Sequence, residues 1–322
     1  MVADAQQTPA KFSVTPRMRV ITDNDYSGDP DGLFQLAHLL LSPSVEIRAI
    51  VGSHLRPGDG FDPSKNQSQN AANKARELMQ AMGITPAIPV LAGSPVAMTN
   101  DSTPVKSEAV NLIIREALRT DTTLPLYVVC GGSLTEIASA LLTEPRIADK
   151  LTVIWIGGPE YPDLALPPPG NPTPEYNVNL DMASVQAVFN RTRVHLWQVP
   201  RNAYRQAMIS YPQLLVKVKS HKKGGAYLAN ALENLMAMVQ KYVNTGETYI
   251  LGDSPLVLLT ALQSSFEADP SSSDYVLKMA PTINPGGGYE FNPKGRSIRV
   301  YTRLDNYLMF EDFFAKLELL NR

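Results

Sequence analysis

From residue 18 to residue 199 the chain alternates short apolar, β-branched runs with helical patterns, and no other feature narrows its possible folds so far. The runs are "MRVIT" (18–22), "VEIRAIV" (45–51), "IPVLAG" (88–93), "LPLYVVC" (124–130), "LTVIWIGG" (151–158) and "RVHLWQV" (193–199). Between the first two, Leu33, Leu36, Ala37, Leu40 and Leu41 recur at i, i+3, i+4, i+7 and i+8, one face of a helix. "SQNAANKARELMQAMG", ended by Gly83, "SEAVNLIIREALRT" and "SLTEIASALLTEPRIADK" fill the next three gaps. This order predicts an α/β fold with a mainly parallel central sheet and helices on both faces. Right-handed crossovers then bring the C-terminal ends of the strands to one edge, where ligands of such sheets bind.

Two long loops leave from that edge, "RPGDGFDPSKN" (56–66) and the proline-rich "PEYPDLALPPPGNPTPEYN" (159–177), the second read as a stiff flap. Residues 207–250 read as a helical excursion broken at Gly224 and Gly225. With no internal repeat and no clean boundary, residues 18–322 read as one domain. Residues 1–17 form a polar, proline-punctuated arm without the apolar core of a signal peptide. Both a disordered arm and a mature end left by leader removal fit it, so the compartment stays open. A net charge of −2 gives no basic surface for nucleic acid. No apolar run reaches the roughly 18 residues that a membrane span needs. The single cysteine, Cys130, excludes an internal disulfide and a multi-cysteine metal site.

The first strand runs into "TDNDYSGDPDGLF", which sets Asp23, Asp25, Asp29 and Asp31 within nine positions. Carboxylates so close repel one another and raise each other's pKa. A divalent cation removes that penalty, and an all-carboxylate set suits hard Ca²⁺ or Mg²⁺. The competing reading is helix capping, which needs one or two acids rather than four. A D-x-D at a strand end also opens the phosphatase pattern D-x-D-x-T, with Ser27 for the threonine. The helix begins too soon for that pattern, and no later lysine and acid pair completes it.

The alternative is glycosidic cleavage, and here the chain resembles the nucleoside hydrolase family. "DNDYSGDPDGLFQLAHLL" resembles its signature D-x-D-P-G-x-D-D. "VVCGGSLTEIASALLTEPRI", "IWIGG" with "PEYNVNLDMASVQAVFN", "VPRNAYRQA" and "LGDSPLVLL" then resemble later family motifs in the right order. The resemblance runs from about residue 18 to 310 and implies a Rossmann-like nucleoside hydrolase fold. It implies hydrolysis of the N-glycosidic bond of a ribonucleoside or related glycoside, dependence on Ca²⁺, and a dimer or tetramer. A hydrolase of another glycoside and a non-catalytic carbohydrate binder are the alternatives.

Carried over residue by residue, the resemblance makes Asp25 both a calcium ligand and the base that takes a proton from water. Asp31, the Cys130 carbonyl and Asp253 complete the metal set. Asp23 matches the first acid of the signature. Asp29, Ser53, Asn171, Glu175, Asn177 and Asn202 fall to the sugar. Two positions depart from the pattern. Pro30 separates acids that the family keeps adjacent, and Gly252 stands where many members place the histidine that protonates the leaving base. His54, beside Ser53 at the sheet edge, is the first candidate to replace it, since an imidazole titrates in the right range. Tyr161, Tyr227 and Tyr249 follow.

Overall fold

A computed structural model describes residues 12–85, 87–170, 174–263 and 272–322. The strands in chain order are β1 (Met18–Asn24), β2 (Val45–Gly52), β3 (Val90–Ala92), β4 (Leu126–Cys130), β5 (Leu151–Ile156), β6 (His195–Val199), β7 (Met208–Ser210), β8 (Thr248–Ile250), β9 (Asp274–Met279), β10 (Thr282–Ile283), β11 (Tyr289–Glu290) and β12 (Ser297–Arg303). Eight of them form one sheet in the order β3-β2-β1-β4-β5-β6-β12-β9. Neighbours are parallel except β9, which runs antiparallel to β12. The six strands read from the apolar runs are present in the expected order. β9 and β12 were not foreseen.

Successive strand residues face opposite sides, and the core divides accordingly. Val20, Ile50, Val129 and Ile154 pack on one face, against α1 (Asp31–Leu40), α2 (Gln67–Met82) and the helices Gly225–Val239 and Asn306–Asn321. Ile21, Val51, Val128 and Val153 pack on the other, against α3 (Glu108–Ala117) and α4 (Thr135–Thr143). All eight are fully buried. Each such side chain contributes about 1.5–3 kcal/mol of transfer free energy, which is why the doubly covered strands read as unbroken apolar runs.

Local signals hold the helices in place. The Ser107 hydroxyl accepts the Val110 N–H at the start of α3. Gly83 ends α2 at φ 67°, in the left-handed region that glycine enters without strain. The excursion after residue 207 departs from the all-helical expectation. Its two ends pair as an antiparallel ribbon, with Met208 opposite Ile250. A π-helical turn (Leu214–Lys219) and the helix Gly225–Val239 lie between them, separated at Gly224 with φ 79°. No described helix is long and apolar enough to cross a membrane.

Candidate active site

β1 is followed by β2 on one side and flanked by β4 on the other, so the strand order reverses beside its C-terminal end. A crevice is expected at such a switch point. A cavity of about 540 Å³ lies there. Asp25, Asp29 and Asp31 reach it from the turn after β1, Gly131 from the end of β4 and Ile156 from the end of β5. Glu175 and Asn177 reach it from the end of the flap, Gly252 and Asp253 from the segment after β8. The remaining wall is Phe61, Tyr176, Tyr204, Met208, Thr245, Thr248, Tyr249 and Ile250. The volume suits one small ligand.

The four aspartates on the cavity are chained together. The Asp31 N–H donates to Asp29 Oδ1 at 3.2 Å, and the Asp253 N–H donates to Asp31 Oδ2 at 3.2 Å. Asn24 Nδ2 donates to Asp253 Oδ2 at 2.9 Å, while its Oδ1 accepts the Asp25 N–H at 2.8 Å. Glycines make the slot for that amide: a Cβ at Gly131 would fall 2.2 Å from Asn24 Nδ2, and one at Gly32 3.0 Å from the same group.

Burial, then the charges of Asp253 and Asp29, hold the Asp25 carboxyl well above the usual carboxylate range. Asp31 is raised by burial and then by Asp253, Asp29 and Asp25. Burial lifts Asp253 to about 7 against the opposing pull of the Asn24 amide. It lifts Asp29 to about 6 against the Tyr249 hydroxyl. No Lys or Arg is among the described lining residues.

The donor set is therefore all oxygen and uncompensated, which fits a hard cation. Asp25, Asp31 and Asp253, three of the expected metal ligands, line the cavity; Cys130 is not among the described lining residues. Among the described residues no three His, Cys, Asp or Glu side chains are drawn into a tight ligand cluster. The acids instead line a common cavity.

Glu175 caps the helix Tyr176–Leu180. Its Oε2 accepts the N–H groups of Gly158 (2.9 Å) and Val178 (3.2 Å), and its Oε1 accepts the Tyr204 hydroxyl at 2.7 Å. Asn177 Nδ2 donates to the carbonyls of Gly131 (2.9 Å) and Ile156 (2.8 Å), tying that helix to the ends of β4 and β5. Both amide hydrogens are spent there, so contact with a ligand falls to Oδ1.

Six expected residues thus share the cavity: Asp25, Asp29, Asp31, Glu175, Asn177 and Asp253. Asn171 lies outside the described residues. Ser53 is fully buried behind Gly132, Asn202 is buried off the cavity, and the Cys130 side chain packs into the α3/α4 core. Burial pushes that thiol up.

Asp23 is turned by strand alternation to the same face as Ile21, where burial and then Glu136 raise its carboxyl. It is not a cavity acid.

His54 is not among the described residues that line the cavity. Its Nδ1 meets the Leu55 carbonyl at 3.0 Å and its Nε2 meets Thr135 Oγ1 at 3.0 Å, in a buried chain that runs on to Asp181 at 2.6 Å. Both ring nitrogens are engaged away from the cavity, so an acid role toward a leaving base does not fit. Tyr161 and Tyr227 bond Gln198 and Glu77. Only Tyr249 of the three tyrosines lines the cavity, with its hydroxyl donated to Asp29 Oδ2 at 2.6 Å.

Sequence reasoning missed Asn24, Phe61, Tyr176 and Tyr204. Asn24, Tyr176 and Tyr204 lie inside quoted motifs, and Phe61 lies in the quoted loop 56–66.

The profile of the inosine-uridine preferring nucleoside hydrolases matches residues 20–302. Among solved structures, the fold is similar to a purine-preferring ribonucleoside hydrolase from Gardnerella vaginalis, with TM-score 0.72 and 19% identity over 94% of this chain and 99% of that one. A plant nucleoside hydrolase follows at 0.70 and 16%, with the same coverage of both chains. An inosine-guanosine nucleoside hydrolase stands at 0.70 and 17%, also over 94% and 99%. No curated protein matches the chain. The profile match spans most of the chain and the fold agrees with it, and the chain belongs to the inosine-uridine preferring nucleoside hydrolase family, enzymes that act on N-glycosyl bonds.

Proposed function

We propose that this protein is a calcium-dependent hydrolase that cleaves a ribonucleoside to free base and ribose. The observation that carries the reading is the convergence of Asp25, Asp29, Asp31, Asp253, Glu175 and Asn177 on one small-ligand cavity at the switch point of the sheet. Asp25, Asp31, Asp253 and the Cys130 carbonyl would hold Ca²⁺, which supplies fixed positive charge and activation of water.

Asp25 takes the proton of the attacking water. Asp29, Glu175 and Asn177 hold the sugar hydroxyls and orient the anomeric carbon. As the glycosidic bond breaks, positive charge grows on the sugar ring, and the ring of acids stabilises it. The base departs toward Phe61 and Tyr176, whose rings meet edge to face at 6.4 Å and 86°.

Gly252 and the placement of His54 favour a second reading. The described cavity carries no imidazole, which suits a glycoside with a good leaving group, or a carbohydrate binder without turnover. Reducing-sugar release from purine and pyrimidine ribonucleosides, with and without a calcium chelator, decides between the readings. Chelator-sensitive release is expected. Calcium binding without release from any ribonucleoside overturns the proposal in favour of the second reading.

A further inference from the structure

Two phenols lie against the two acids assigned to the sugar. Tyr204 donates to Glu175 Oε1 at 2.7 Å and Tyr249 donates to Asp29 Oδ2 at 2.6 Å. These are short, charge-assisted bonds, and each fixes the plane of a carboxylate. With the N–H groups of Gly158 and Val178 on Glu175, and that of Asp31 on Asp29, both oxygens of both acids are held.

Tyr204 cannot swing freely. It ends the short helix Arg201–Tyr204, whose Arg201 makes a buried two-point ion pair with Glu160 at 2.8 and 2.6 Å. Its ring lies where a side chain at position 252 would go. A Cβ there would fall 3.3 Å from Tyr204 Cδ2 and 3.3 Å from Asp31 Oδ2. A larger side chain would have to displace one of them.

We infer that Gly252 and Tyr204 act as a unit: the missing side chain admits the Tyr204 ring, and the phenols of Tyr204 and Tyr249 position Glu175 and Asp29 for the sugar. On this account Gly252 is more than a lost proton donor. It is the space that a different arrangement of the site requires. The inference rests on the sugar role proposed above for Glu175 and Asp29. It makes Tyr204 and Tyr249 positioning residues that act through those acids.

The test is D-ribose binding by titration calorimetry in calcium buffer, which needs no turnover, alongside nucleoside hydrolysis and melting temperature. Tyr204→Phe and Tyr249→Phe are each expected to weaken ribose binding about tenfold, the scale of a lost bond to a charged group, with melting nearly unchanged. Gly252→Ala is expected to weaken binding in the parent but to add little in the Tyr204→Phe background, a non-additive cycle. Ribose affinity unchanged in both Tyr variants overturns the positioning role, and an additive cycle overturns the unit. So does a Gly252→His variant that hydrolyses nucleosides faster than the parent. If the parent binds ribose with this pattern yet hydrolyses nothing, the hydrolase reading falls and this inference stands. If the parent hydrolyses nucleosides but binds no ribose, this inference falls and the hydrolase reading stands.

Discussion

The two walls of the cavity are built by different means. The acid wall comes largely from the ends of parallel strands: Asp25 follows β1, and Asn177 is bolted to the carbonyls beyond β4 and at the end of β5. The aromatic and hydroxyl wall comes from a loop and an excursion: Phe61 from the segment after β2, Thr245, Thr248, Tyr249 and Ile250 from residues outside the sheet. A buried parallel sheet is rigid, and the loops that leave its edge tolerate change. On the proposed reading, the sugar end of the substrate meets fixed chemistry, and the base end meets the part of the molecule free to diverge.

That contrast is open to attack. The largest effect belongs to the acid wall. Asp25→Asn should lower kcat on the order of 10³-fold for every nucleoside tested, since it removes the proposed general base. A loss confined to some bases would show that the two walls are not separable.

Next is the charge itself. Burial raises the folded pKa of Asp29 to about 6 and of Asp253 to about 7 from an ordinary 3.8. The metal-free fold binds more protons than the unfolded chain between those values, so this contribution is present below about pH 4 and is lost as pH rises toward 7. Thermal melts of chelator-treated protein should therefore fall across that window, and Ca²⁺ should restore stability near neutrality. Melting that rises through the window would contradict the electrostatics described.

On the other wall, Phe61→Ala and Tyr176→Leu should change kcat/KM about tenfold and reorder base preference, the scale of one stacking contact. Uniform loss across bases would place these rings in support of the sugar instead. The smallest effect is expected from His54→Gln. Turnover should stay within about threefold, while melting drops because a buried hydrogen-bonded group is disturbed. A large drop in kcat at unchanged stability would return His54 to the reaction.

The acid wall was legible because its residues sit in short motifs, and a motif carries its geometry with it. The strands β1, β2, β4, β5 and β6 were legible because coverage on both faces makes continuous apolar runs, and β3, a half-buried edge strand, because its short run is wholly apolar. β9 and β12 were not. "DYVLKM" and "SIRVYTR" mix charge with apolar residues, because β9 lies at the sheet edge and Arg299 stacks over Trp197 and Tyr275 rather than entering the core.

His54 was placed correctly on the sheet edge, but which way its ring turned depended on Thr135 and Asp181, far along the chain. Asp23 looked like one more acid of the cluster, and the period of the strand sent it to the other face. Tyr249 and Asp29 meet across 220 residues, a pairing that no local pattern could announce.

The Asn24 amide has a consequence for the order in which the molecule becomes complete. It joins the last residue of β1 to Asp253 across 229 residues. Asp253 is also the donor to Asp31, so the turn after β1 keeps one of its supports waiting until most of the chain has been made. Contacts of such sequence separation close slowly. During synthesis the acid-rich turn therefore exists first without its final partner, and the capacity to hold a ligand arrives late, with the docking of the segment that carries residue 253.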